Sequence, residues 1–317
     1  MSRIIYLCPF PADVITGGVK TAYRHVELLV EMGYDAWVWQ PAGHPFWFRS
    51  EGRLIDGFSE ETLRPDDVLV FPEVIGFPEF APLLHTRRPC TKLLFCQNQY
   101  YVFNDLIPKT TYAQLGFRDV FCSCGPIKRM LESVLGLKDV ALIPYDIDRE
   151  RFRPRAKRLQ IAAIPRKMPR HASMIAFMFK AKYPDTRHVP FVVIENFTED
   201  QLAETLGASD ILLSLSHFEG LGLIPIEAMA SGCLVAGYHG HGGLEYARPE
   251  NGFWFGADEH ESVADALHAL VKGIGAGEAW IDAMREEGQK VADRYNLPAT
   301  RQALAAYYGC LGLHPGQ

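Results

Sequence analysis

Apolar residues fall along this chain in short blocks, and between the blocks they recur at helical spacing. Residues 3–8 are apolar almost throughout, which predicts a strand buried on both faces in a parallel sheet. Thr16, Gly17 and Gly18 predict a turn. Val19, Ala22, Tyr23, Val26, Leu29 and Val30 then predict a helix over 19–32, closed by Gly33. A second strand is expected at 34–39. The alternation continues through strands at 68–71, 92–96, 119–122 and 139–143, with a helix over 125–135. It starts again with strands at 159–164, 191–194 and 211–216 and helices over 172–183 and 199–206. Helices over 263–270, 277–295 and 297–308 close the pattern, with Pro298 separating the last two. Strands alternating with helices predict an α/β chain with parallel sheets.

At 317 residues the chain is long enough for two such domains, and 48% hydrophobic with 22% charged residues suits two packed cores. A formal net charge of −6 argues against a general nucleic-acid binder. No apolar run approaches the length of a bilayer span, and the N-terminus reads as a strand rather than a leader. A cytoplasmic location is the resulting expectation. The seven cysteines sit largely in apolar runs and read as buried thiols of a reducing compartment. Cys122 and Cys124 lack the spacing of a zinc or redox motif, and His239 and His241 alone are too few to hold a metal.

Candidate chemistry is densest over 216–247. An apolar strand runs into a turn containing Gly220 and Gly222, and Pro225 fits the first position of a helix that carries Glu227 in its first turn. Glycines let a ligand approach the backbone, and a helix N-terminus offers free N–H groups, so this is a place for a phosphate or diphosphate. Glu219 on the loop and Glu227 on the helix bracket it. A carboxylate does not bind phosphate, but it accepts two hydrogen bonds from a vicinal diol. A diphosphate flanked by two diols describes a nucleotide-sugar. The plainer alternative makes Glu227 a partner of the helix dipole and Glu219 a solvated loop residue.

Arg166, Lys167 and Arg170 follow the strand at 159–164, where ligands bind in open parallel sheets, or they are surface charges before a helix. Gln97 and Asn98 follow the strand at 92–96. Tyr100, Tyr101 and Phe103 beyond them either stack on a sugar or pack internally. The aromatic segment 42–48 fits an acceptor wall, a lid or core. Six of the ten residues 149–158 are basic, which marks a solvated linker or a contact with anionic lipid head groups.

The segment 219–236, EGLGLIPIEAMASGCLVA, resembles the E-x7-E segment of the retaining GT-B glycosyltransferases, most like glycosyltransferase family 4 (glycosyl transferases group 1). GHGGLEY at 240–246, NGF at 251–253 and PYDIDRERFRP at 144–154 are similar to further landmarks of that family. The resemblance implies two Rossmann-like domains facing across a cleft: an acceptor-side domain over 1–153, a nucleotide-sugar domain over 154–295, and a final helix over 296–317 crossing back to the first. It implies transfer of a sugar, with retention and without a metal, from a UDP-, GDP- or ADP-sugar to a hydroxyl of a glycan, a lipid-linked acceptor or a small molecule. By that resemblance Glu219 is the catalytic residue beside the donor sugar and Glu227 holds the ribose. Gly18, Arg166, Lys167, Gly220, Leu221, Gly222 and Leu223 hold the diphosphate. Gln97 and Asn98 stand where the family often has a histidine, and with Tyr100 they are expected near the acceptor or donor sugar. Tyr145 and Asp146 replace the family's usual Asn and Gly. Peripheral contact with the inner membrane face is compatible with the resemblance, beside the plainer reading of a solvated linker, and no nucleic acid is expected. A nucleotide-sugar epimerase, a sugar-phosphate phosphorylase and a non-catalytic binding subunit on the same fold are the competing readings.

Overall fold

The computed structural model describes residues 2–105 and 111–316. It divides into two compact units, one made of Met1–Tyr145 with Leu297–Gln317 and the other of Asp146–Asn296. The division falls before the basic run, at Tyr145, and again at Asn296.

In the first unit the chain forms β1 (Arg3–Leu7), α1 (Gly17–Glu31), β2 (Asp35–Trp39), β3 (Val68–Pro72), α2 (Ala81–Leu84), β4 (Thr91–Cys96), α3 (Val102–Asp105), β5 (Phe117–Cys122), α4 (Gly125–Leu135) and β6 (Ala141–Leu142). The six strands are parallel in the order β2-β1-β3-β4-β5-β6. The chain winds one way from β1 to β2 and the other way from β3 onward, so the sheet has a switch point between β1 and β3. α1 begins at Gly17, so the two glycines expected in a turn are its first two residues, with Thr16 extended as the cap. The first N–H groups of a helix have no partner within it, and the glycines cost least there. Of the aromatic segment, Trp47 and Phe48 are core and Phe46 is exposed.

The last helix, Leu297–Cys310, belongs to this unit, where its Leu304, Tyr307 and Tyr308 enter the core beside Tyr6, Leu29 and Phe121. It brings a polar chain with it. The Tyr308 hydroxyl donates to that of Tyr6 at 2.9 Å, and Tyr6 in turn faces Nδ1 of His25 at 3.1 Å. His25 is stacked on Phe95, and Phe95 on Phe121.

The second unit contains β7 (Arg158–Ala163), α5 (Pro169–Lys182), β8 (Phe191–Val193), α6 (Glu199–Ala208), β9 (Ser209–Glu219), α7 (Leu223–Ala230), β10 (Leu234–His241), β11 (Phe253–Phe255), α8 (His260–Ala276) and α9 (Ala279–Asp293). Its five parallel strands lie in the order β11-β10-β9-β7-β8, which repeats the winding of the first sheet and puts the switch point between β7 and β9. Ile175, Phe179, Ile211, Leu213, Leu267 and Leu270 pack between sheet and helices. α6 opens with a capping box in which Thr198 and Gln201 exchange hydrogen bonds.

Much of the basic run is used inside this unit. Lys157 donates to the carbonyl oxygens of Ser209 at 2.6 Å and Ser231 at 2.8 Å. Arg151 pairs with Glu199, and Arg149 with Asp293 and Gln289. Arg153, Arg155 and Arg158 remain exposed. Among the described residues no helix is long and apolar enough to cross a membrane.

Burial pulls the His25 imidazole down to about 3, with Arg24 adding to the effect. It therefore stays neutral in the folded state while its unfolded counterpart takes up a proton near 6.5. Stability should fall as the pH drops from about 6.5 toward 3, by about 1.4 kcal/mol per pH unit for this one group. In urea unfolding at stepped pH, His25→Gln should show a shallower fall than the parent. A constant difference between the two would mean that His25 takes up its proton while folded.

Candidate functional site

The carboxyl end of β9 carries the central motif. β9 runs to Glu219, so that residue ends a strand instead of lying on a loop. The pairing of β9 with β10 shifts register between His239 and His241, and Glu219 is matched to His241. Such an irregularity at a strand end re-aims the side chains beside it. Phe218 has φ 49°, a strained conformation for a non-glycine residue. Gly222, with φ 86°, caps α7. A side chain there would be strained and would meet the Tyr246 hydroxyl at 3.2 Å, so the position needs glycine.

α7 starts at Leu223, two residues earlier than Pro225 suggested. Pro225 is its third residue, still in the turn whose N–H groups lack helical partners, and Glu227 is its fifth. Glu227 thus sits in the second turn rather than the first, and it is 3% exposed. Most of α7 is buried, Ile226, Ala228, Met229 and Ala230 included.

The turn is held from outside. Tyr246, itself buried, donates its hydroxyl to the carbonyl of Gly222 at 2.9 Å. Asn251 fixes Tyr246 in turn, donating from Nδ2 to its carbonyl at 2.8 Å while Oδ1 accepts from Nε1 of Trp254 at 2.8 Å. The segments at 240–246 and 251–253 therefore brace the glycine turn. The sequence marks them as landmarks without giving that reason.

Across the switch point, the loop after β7 holds Arg166 and Lys167. Nζ of Lys167 lies 2.7 Å from Oε1 of Glu219, an ion pair in which both side chains are partly exposed. Arg166 is exposed, and Arg170 lies in the first turn of α5. Glu219, Lys167, Gly222, Leu223 and Glu227 thus share one end of one sheet.

Gly220 and Leu221, between Glu219 and Gly222, are both buried. Gly18, Gln97, Asn98 and Tyr100 lie in the first unit. Gln97 follows β4 and donates from Nε2 to the carbonyl of Gly18 at 3.1 Å. A β-carbon on Gly18 would stand 3.2 Å from that nitrogen. Asn98 is buried and accepts from the backbone N–H of Tyr100 at 3.0 Å, a local turn. Tyr101 and Phe103 are exposed. Glu73, just past β3, is a buried acid that the apolar pattern does not mark. Its Oε2 accepts from the backbone N–H of Gln97 at 3.2 Å, and burial lifts its carboxyl to about 7. The signal was an acid directly after an apolar strand.

A family described as Glycosyl transferases group 1 matches residues 190–287, the segment that holds β9, the glycine turn and α7. The chain is similar in fold to the sucrose-phosphate synthase of Thermosynechococcus elongatus, at TM-score 0.70 and 13% identity over 98% of this chain and 99% of that one. The fold is GT-B. A second GT-B neighbour, Anabaena Alr3699/HepE in complex with UDP-glucose, aligns at TM-score 0.67 and 12% identity over 98% of this chain and all (100%) of that one. In sequence the chain is 26% identical over 289 residues to an alpha-1,6-glucosyltransferase of Actinobacillus pleuropneumoniae serotype 7, covering 85% of this chain and 84% of the relative. The group 1 match and this relative support glycosyltransferase activity on the GT-B scaffold.

Glu73 gives the first unit a testable electrostatic signature. Its folded-state value lies above that of an unfolded glutamate, so its contribution is complete below about 4.5 and is lost as the pH rises through about 7. For this group the loss should total about 3 kcal/mol. Glu73→Gln keeps an acceptor for the Gln97 N–H and should remove that dependence, so the gap in unfolding free energy between variant and parent changes between pH 4.5 and 7 and is flat above. A gap that does not move with pH would show the carboxyl to be solvated.

Proposed function

We propose that this chain transfers a sugar, with retention of configuration, from a nucleoside-diphosphate sugar to an acceptor hydroxyl, as a family 4-like enzyme that needs no metal for the transfer. The observation that carries the reading is the pair Glu219 and Glu227 on either side of the glycine turn, at the switch point, with Lys167 on Glu219. Open parallel sheets bind ligands at such points.

When the bond from the anomeric carbon breaks, charge develops on the diphosphate oxygen. The N–H groups of Leu223 and Ile224 at the start of α7, with Arg166 and Lys167, supply positive potential for that charge. In this reading the Lys167–Glu219 pair exchanges partners on donor binding. The ammonium turns to the diphosphate, and the carboxylate is released to the hydroxyls of the donor sugar. Glu227 is buried and acidic, which suits the two hydroxyls of a ribose. The family resemblance assigns Gly18 to the diphosphate, and Gln97, Asn98 and Tyr100 to the donor sugar or the acceptor; in the first unit Gly18 is held by the hydrogen bond from Gln97.

The relative named a glucosyltransferase, together with the HepE complex with UDP-glucose, makes UDP-glucose the first donor to test. GDP- and ADP-sugars are the next. The acceptor hydroxyl belongs to a glycan, a lipid-linked acceptor or a small molecule, and the exposed Arg153, Arg155 and Arg158 suit an anionic membrane surface.

A thermal-shift comparison with UDP, GDP, ADP, CMP and dTDP, each with magnesium and with a chelator, tests the reading. One nucleoside diphosphate should raise the melting temperature by several degrees at a hundredfold excess over its Kd, with or without magnesium. Glu227→Ala should abolish that shift. If folded protein responds to none of them, the non-catalytic subunit becomes the better account.

A further inference from the structure

Three potential metal ligands meet in the second unit, and neither the family resemblance nor the donor chemistry uses them. His171 is the third residue of α5. Asp258 lies in the segment ahead of α8, and His260 opens that helix. One ligand atom from each lies within 4.8 Å of the others, the single such group among the described residues.

The distances suit a bound ion. Nε2 of His260 is 3.0 Å from Nδ1 of His171, and Oδ1 of Asp258 is 3.8 Å from the same nitrogen. Donor atoms held at about 2.0–2.1 Å around a tetrahedral ion stand about 3.3–3.4 Å apart. The two separations bracket that value. The imidazole planes are tilted by 31° with centroids 4.6 Å apart. Closing both on one ion takes rotation about χ2, which is a soft torsion for histidine.

Hydrogen bonding selects the tautomer. Nδ1 of His260 lies 2.8 Å from the backbone oxygen of Asp258. A carbonyl oxygen only accepts, so this nitrogen carries the proton and Nε2 keeps its lone pair. That lone pair faces His171. A ring N–H held by a backbone carbonyl is the usual support behind a metal-bound histidine. The Tyr238 hydroxyl lies 3.4 Å from Nδ1 of His171 and forms a buried wall on the inner side. Asp258, mostly exposed, leaves the outer side open for water.

We infer that His171, Asp258 and His260 form a site for a borderline divalent transition metal, zinc being the first choice, with a fourth position open to solvent. Two imidazoles and one carboxylate favour zinc, cobalt, nickel or copper over magnesium and calcium. The ion would tie the start of α5 to the start of α8. Four residues before His171 stands Lys167, so the clamp would steady the loop that carries it. The site is separate from the donor carboxylates, and its test needs no nucleotide.

The experiment is titration of chelator-treated, tag-free full-length protein with zinc and with cobalt, in a Cys310→Ser background that removes the exposed thiol. Expected are one equivalent of zinc, a raised melting temperature, and a cobalt absorption spectrum without sulfur charge-transfer bands. Asp258→Asn removes the carboxylate charge and suits the φ of 76° at this exposed position, and His171→Ala removes a shared ligand. Each should weaken zinc by about a hundredfold or more. No saturable binding, or binding that both variants leave unchanged, would overturn the site.

Discussion

Burial of both faces of two parallel sheets is the constraint on which the rest depends. A parallel strand has no solvent face to carry polar chemistry, so β1 is buried at all five positions and the first seven residues of β9 are buried without a break. Working groups are thereby expelled to strand ends. Glu73, Gln97, Lys167 and Glu219 all stand at or just beyond the carboxyl end of a strand. The reversal of winding at each sheet's switch point then opens space there, because the helices on its two sides leave in opposite directions.

That constraint also explains what could be read from the chain alone. The strands were legible because burial on both faces writes itself as continuous apolar runs. The α/β character and the E-x7-E segment followed, and the folded chain keeps Glu219 and Glu227 on either side of a glycine turn. The ends of elements were harder. Gly17 and Gly18 look like a turn by propensity, yet α1 absorbs them in its unpaired first turn. Pro225 tolerates the first helical position and the third equally, since neither N–H has a partner within the helix. Glu219 reads as a loop residue because Ser216 and His217 break the apolar run, while backbone pairing with β10 carries the strand past them.

Side chains joined only by tertiary contacts were not legible. Lys157 reads as one charge in a basic run, but it is spent on the carbonyls of Ser209 and Ser231. Glu73 gives no periodic signal, and its character comes from burial against residues that follow β4. His171 is separated from Asp258 and His260 by most of the second unit, so no spacing rule connects them. In each case the missing information is which strand end lies beside which.

The return of the last helix to the first unit has a consequence for how the protein is made. The second unit is a contiguous stretch of chain and has all its core residues once Asn296 is synthesised. The first unit begins earlier yet ends later. While the ribosome works through the second unit, Tyr6 waits without the hydroxyl of Tyr308, and the groove for Leu304 and Tyr307 stays open. Vectorial synthesis therefore reverses the order of the sequence: the inner unit can close first, and the outer one is completed by its last helix. Over that interval the apolar groove of the first unit is the surface most in need of protection from other chains.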